Sequence, residues 1–141
     1  MASNNKISRT LASNRLYYYY VAAAASTALA GILHLAMASN IIGRSITTGS
    51  FFIVAGLAQI FWILPMVKQW GRPWYYTGIA GTMVLIILYS ITRVPNSITN
   101  GRALAINEIG IATTALQISY VAITVIILAK ERNTEVVRKH E

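Results

Sequence analysis

Three residues of this chain could do acid–base or ionic chemistry inside apolar surroundings: His34, Arg93 and Glu108. Arg93 closes the stretch Tyr89-Ser90-Ile91-Thr92-Arg93, and Glu108 follows a polar loop, so opposite charges stand at the facing ends of two apolar runs. An unpaired charge there is costly, and the two are expected to pair. His34 lies about 27 Å along a straight helix from Leu16, which brings it to the same level. The expectation is one polar cluster of His34, Arg93 and Glu108 that fixes one end of a bundle. Proton handling by His34 and Glu108 is the alternative.

Two amides lie deeper. Gln59 and Gln117 are each about 13 Å inside their runs, near a midplane, where they would act as interhelical hydrogen-bonding groups. Nine residues at about 100° each turn Gln117 to the face opposite Glu108, so a continuous polar wire along that helix is not expected. Metal chemistry is not expected on this chain. It has no cysteine and no aspartate, and His34 is the one histidine inside the apolar runs, which leaves a zinc or copper site without enough ligands. Met37 shares a helix with His34 and cannot be an opposite axial ligand of haem; a quinone or haem partner bound between helices is a third option, and it lacks the paired ligands expected for haem. No nucleophile–base pair, paired carboxylates or phosphate-binding loop is present, so no cofactor and no catalytic residue are assigned.

The elements that must position these residues are four long apolar runs. The chain has 141 residues, 55% hydrophobic and 11% charged, and its charges fall almost entirely between or outside the runs. That pattern excludes an ordinary soluble domain and indicates an all-α, integral membrane protein: an antiparallel four-transmembrane-helix bundle. The spans are expected at about 16–38, 50–67, 74–92 and 103–129, after a polar N-terminal tail (1–15) and before a charged C-terminal tail (130–141). Ala36-Met37-Ala38 resembles a signal-peptide cleavage site, but the first run is long for that role. Pro65 sits near the end of the second run, where a missing donor costs little.

Charge sets the expected orientation. Nine of the twelve Lys and Arg residues lie in the two tails and the second connection, against Arg44, Arg93 and Arg102 on the other side. The protein is therefore expected in the cell membrane, multi-pass, with both termini cytoplasmic. Tyr17, Tyr18, Tyr19 and Tyr20, together with Trp70, Trp74, Tyr75 and Tyr76, fall on that same side and are expected to be interfacial anchors. A net charge of +8 suits anionic lipid headgroups; no basic run interleaved with aromatics suggests nucleic acid.

Small residues mark the faces expected to meet. They are Ala23, Thr27, Ala30 or Gly31, His34 and Ala38 on the first helix, Gly56 with Gln59 on the second, and Gly78, Thr82, Leu85, Tyr89 and Arg93 on the third. On the fourth, Glu108, Ala112, Ala115, Ser119 and Ala122 are expected to point inward.

The combination of Gly31-Ile32-Leu33-His34-Leu35, Phe51-Phe52 with Gln59, Thr92-Arg93 with Pro95, and Asn107-Glu108 resembles a widespread family of small four-helix membrane proteins without an assigned activity. The likeness spans residues 32–128 and implies the fold. In general character the chain is also similar to the small helical subunits that accompany archaeal membrane-bound ammonia monooxygenase. That resemblance implies a non-catalytic accessory subunit, with copper chemistry and partner contacts supplied by other integral membrane subunits. A small stand-alone transporter or proton-responsive protein using His34 and Glu108 is the alternative expectation.

Overall fold

The apolar runs become helices because nothing inside them competes with the backbone ladder, and the breaks fall where proline, glycine or a capping side chain does. A computed structural model describes residues 2–139, with side chains described over 15–97 and 99–135. Helix α1 is Ala2–Ile41, α2 Ile46–Phe61, α3 Ile63–Val67, α4 Arg72–Ile91 and α5 Glu108–Lys139, with one 3-10 turn at Ser97–Thr99. There is no strand among the described residues. Four segments are long and apolar enough to cross a membrane: Arg15–Ile41, Ile46–Val67, Arg72–Ile91 and Glu108–Glu135.

Each boundary has a local cause. Ser45 caps α2, its hydroxyl accepting from the Thr48 N–H at 3.3 Å. Pro65 has no N–H to give the Phe61 carbonyl, and the helix breaks at Trp62, dividing α2 from α3. After α3 the chain turns with Gln69 at φ 52° and Trp70 N–H bonded to the Pro65 carbonyl at 3.0 Å, a Schellman-type stop. Gly71, at φ 100°, then leads into Pro73 in the first turn of α4.

Several limits differ from the sequence expectation: α1 ends at Ile41, α2 begins at Ile46, and α5 continues to Lys139 through the expected C-terminal tail. Helix α5 begins at Glu108, and residues 103–107 carry no helix, because the Asn107 Oδ1 accepts from the Gly110 N–H at 2.6 Å and caps the helix there. Helix α1 runs back to Ala2, since residues 2–14 contain neither glycine nor proline to stop it.

Packing is centred on α1, which lies against α2, α3 and α5, while α4 lies against α5. Gly31 and Gly56 meet back to back: a Cβ on Gly31 would stand 2.8 Å from the Gly56 carbonyl oxygen. The largest buried side chains lie toward one end, where Tyr20, Met66, Tyr75, Tyr120 and Ile127 pack with Ala23 and Ala24. The expected inward faces of the first two spans are found, with Ala23, Thr27, Ala30, Gly31, His34, Ala38, Gly56 and Gln59 all buried; on the third, Gly78 and Thr82 are buried but Leu85, Tyr89 and Arg93 only half-buried, since that helix packs mainly against α5.

The fourth span is a correction. Ala112, Ala115, Ser119 and Ala122 are exposed, whereas Gly110, Thr113, Gln117, Tyr120, Thr124 and Ile127 face inward. Thr113 and Thr124 return their hydroxyls to the carbonyls four residues back, at 2.7 Å each. A hydrogen-bonding face gains more from the interior than alanine does, and bulky Tyr120 and Ile127 supply the contact area that small residues lack.

Candidate functional site: two polar ends and a groove between α2 and α4

His34, Arg93 and Glu108 do not form one cluster. The His34 ring is buried on α1, with Nδ1 3.0 Å from the Ala30 carbonyl oxygen and its ring 5.6 Å from that of Phe52. A carbonyl only accepts, so this contact puts the proton on Nδ1. Arg93 donates through Nη1 to the Ala105 carbonyl, and its guanidinium lies over the Tyr89 ring at 4.1 Å. Among the described residues no ion pair joins it to Glu108. The loop carbonyl and the ring face already take the cation, and Glu108 is exposed in the first turn of α5, where the helix N-terminus favours its charge.

The acidic pairing lies at the opposite end of the helices. Tyr20 donates its hydroxyl to Glu131 Oε1. Arg72 reaches Glu135 Oε2 at 2.9 Å through Nη2 and Glu131 Oε2 at 3.6 Å through Nε. The Tyr20 and Tyr75 rings are 5.8 Å apart, and Lys130 Nζ lies 5.3 Å from the Tyr19 ring centroid. This knot joins α1, α4 and α5. Its signal was present in the spacing Tyr120, Thr124, Ile127, Glu131, which continues the inward face of α5 by one more turn. Reading Lys130-Glu131-Arg132 as the start of a tail concealed it.

The aromatic residues divide accordingly. Tyr17, Tyr18, Trp70, Trp74 and Tyr76 are exposed, and Tyr19 is half-buried. Tyr20 and Tyr75 are 2% and 0% exposed, so they are core residues and not surface anchors. Their place on the inward stripe of each helix, with Glu131 and Arg72 nearby, accounts for the difference. Trp70 and Trp74 are in edge contact, with ring centroids 4.8 Å apart, and Phe61 lies beside both.

Gln59 and Gln117 are buried, at 5% and 2% exposure. The Gln59 side chain faces that of His34, an α2–α1 contact of the expected kind, whereas Gln117 Nε2 has no hydrogen-bond partner. Gln59 also stands at a junction, because the Thr27 hydroxyl of α1 donates to its backbone carbonyl at 3.0 Å.

Beside Gln59 a groove of about 220 Å³ opens between α2 and α4. Its walls are small, with Ala55 and Ala58 on one side and Gly78 and Gly81 on the other, and Phe51 and Trp62 contribute rings. Among the described residues no charged side chain lines it. Trp62 Nε1 and the Tyr120 hydroxyl converge on Gly78, and neither is hydrogen-bonded. A Cβ at Gly81 would meet nothing within 4 Å. The sequence marked Gln59 and Gly78 separately; that they border one open space depends on the break at Trp62, which no periodicity reveals. Among the described residues no group of three His, Asp or Glu side chains is placed to hold a metal ion. Comparison with family models, curated proteins and solved structures finds no match to this chain.

Proposed function

We propose that this chain is a multi-pass membrane protein, an antiparallel four-helix bundle with both termini cytoplasmic, that serves as a non-catalytic accessory subunit of a larger membrane assembly. The observation that carries the reading is the outward stripe Ala112, Ala115, Ser119 and Ala122 on α5. These small residues are turned away from the chain's own core and are exposed among the described residues. In lipid, where helices associate through close backbone packing, such a face suits the transmembrane helix of another subunit. Glu108 heads the stripe, also exposed, and a cation on the partner would relieve its cost near the membrane edge.

The antiparallel order is supported by contacts at successive levels. Tyr20 near the start of the first span meets Glu131 near the end of the last, Gly31 meets Gly56 midway, and Gly110 lies under Tyr89 at the other end. Orientation rests on the distribution of Lys and Arg, with the exposed Tyr17, Tyr18, Trp70, Trp74 and Tyr76 on the same side. Lipids surround the remaining faces. On the resemblance drawn from the sequence, membrane-bound ammonia monooxygenase is one assembly of the required kind.

The test is copurification in mild detergent with an Ala115→Phe variant. Ala115 faces away from the core, so the variant keeps its fold, and the reading predicts loss of co-migrating subunits by tenfold or more at equal expression. Unchanged co-migration, or a wild-type chain that migrates alone, contradicts it.

A further inference from the structure

We propose that Arg15, Tyr19 and Lys130 form a site for the headgroup of an anionic phospholipid, on the seam between α1 and α5. The inference rests on the membrane placement and not on the docking face of α5.

Charges at this end of the molecule are sorted by side. Glu131 and Glu135 turn to Arg72, and Glu131 also takes the Tyr20 hydroxyl, so both carboxylates are engaged toward α4. Lys130 turns elsewhere: its Nζ lies 5.3 Å from the Tyr19 ring centroid, across the seam between the two helices. Tyr19 precedes Tyr20 by one residue, and that step rotates it about 100° away from the knot. Arg15 stands four residues before Tyr19 and shares its face of α1. Helical side chains lean toward the helix N-terminus, which carries the Tyr19 hydroxyl toward Arg15. Two exposed cations thus flank one half-buried phenol, and among the described residues no carboxylate pairs with either.

Depth and surroundings identify the anion. Arg15 opens the apolar segment Arg15–Ile41, whereas Lys130 lies about 7.5 Å inside the end of Glu108–Glu135. A lysine at that depth bends its stem toward the headgroups, and the ring face replaces only part of the water its ammonium gives up. A negative headgroup supplies the rest. Arg15 offers a planar fork of donors, Lys130 a point charge and Tyr19 a hydroxyl donor, a set that suits the oxygens of a phosphodiester. One turn deeper, Ala22 on α1 and Ile126 on α5 are exposed and apolar. Acyl chains cover that surface; a soluble phosphate would leave it bare.

The test weighs the chain together with the lipid it keeps. Protein held in bilayers of equal phosphatidylglycerol and phosphatidylcholine is released into a non-ionic detergent and analysed by native mass spectrometry. Phosphatidylglycerol is expected to be retained about tenfold over phosphatidylcholine. Arg15→Gln together with Lys130→Gln is expected to remove the preference, since each cation near an anionic headgroup contributes about a fivefold factor. Arg44→Gln together with Arg102→Gln takes the same charge from the opposite end and is expected to leave the preference unchanged. All four residues are exposed, so helical content is expected to stay the same in both double variants. Equal retention of the two lipids by the unaltered chain, or equal loss in the two double variants, overturns the proposal. Release of the bound lipid by excess glycerol phosphate overturns the assignment to a lipid. A chain that does not enter the bilayers contradicts the membrane placement instead.

Discussion

Tyr20 shows how much one side chain decides. Its ring is in the core beside Tyr75, and its hydroxyl donates to Glu131, whose other oxygen faces Arg72. A hydrogen bond to a carboxylate contributes about 1.5–3 kcal/mol, and the part-exposed Arg72 pair adds much less. Tyr20→Phe should therefore cost about 1–2 kcal/mol, and Glu131→Ala somewhat more, because it leaves both Tyr20 and Arg72 without their partner. Unfolding in detergent followed by helical circular dichroism checks this, and the double variant should be less destabilised than the sum of the two. Of this end, the sequence made the aromatic content plain and hid the geometry. Four consecutive tyrosines look alike as text, yet helical rotation sends Tyr17 and Tyr18 outward and Tyr20 inward.

At the scale of the element, the helices and their number were legible because long apolar runs admit little else. Their rotations were legible only in part. On α1 the small residues and His34 share one stripe, so any rule that finds either finds both. On α5 the small stripe and the hydrogen-bonding stripe lie on opposite faces, and the Thr113–Gln117–Tyr120–Thr124 face turns inward. The Arg93–Glu108 expectation failed at the same scale: Asn107 starts α5 at Glu108 and leaves the carboxylate exposed, while Ala105 and Tyr89 hold the arginine. The junction of α3, α4 and α5 makes a sharper prediction. Gly78 is where Trp62 Nε1 and the Tyr120 hydroxyl converge, and both belong to rigid rings that cannot swing aside. Gly78→Val should destabilise by about 1–3 kcal/mol, the usual cost of overpacking, despite the gain in helix propensity. Gly81→Leu, three residues away on an open face, should not, and thermal melts of the two variants side by side make the comparison.

For the whole molecule, the arrangement separates two kinds of surface. The interior is closed by α1 against α2 and α5, with polar ties at one end, while the outward side of α5 presents Glu108, Ala112, Ala115, Ser119 and Ala122, all exposed among the described residues. On the accessory-subunit reading this outward small-residue face is an association surface, because helices in lipid meet through close backbone packing. Assembly with another membrane protein is the claim on which the functional reading depends, and it can be tested without knowing the partner. A photo-crosslinking residue is placed at Ala115 in the native host, with a second chain carrying it at Val84, an exposed position on α4. The membranes are irradiated before detergent is added. A discrete higher-mass adduct containing another integral membrane protein is expected from Ala115, and lipid adducts alone from Val84. Lipid adducts alone from both positions, with the chain remaining at its own mass of 15.5 kDa, would contradict it.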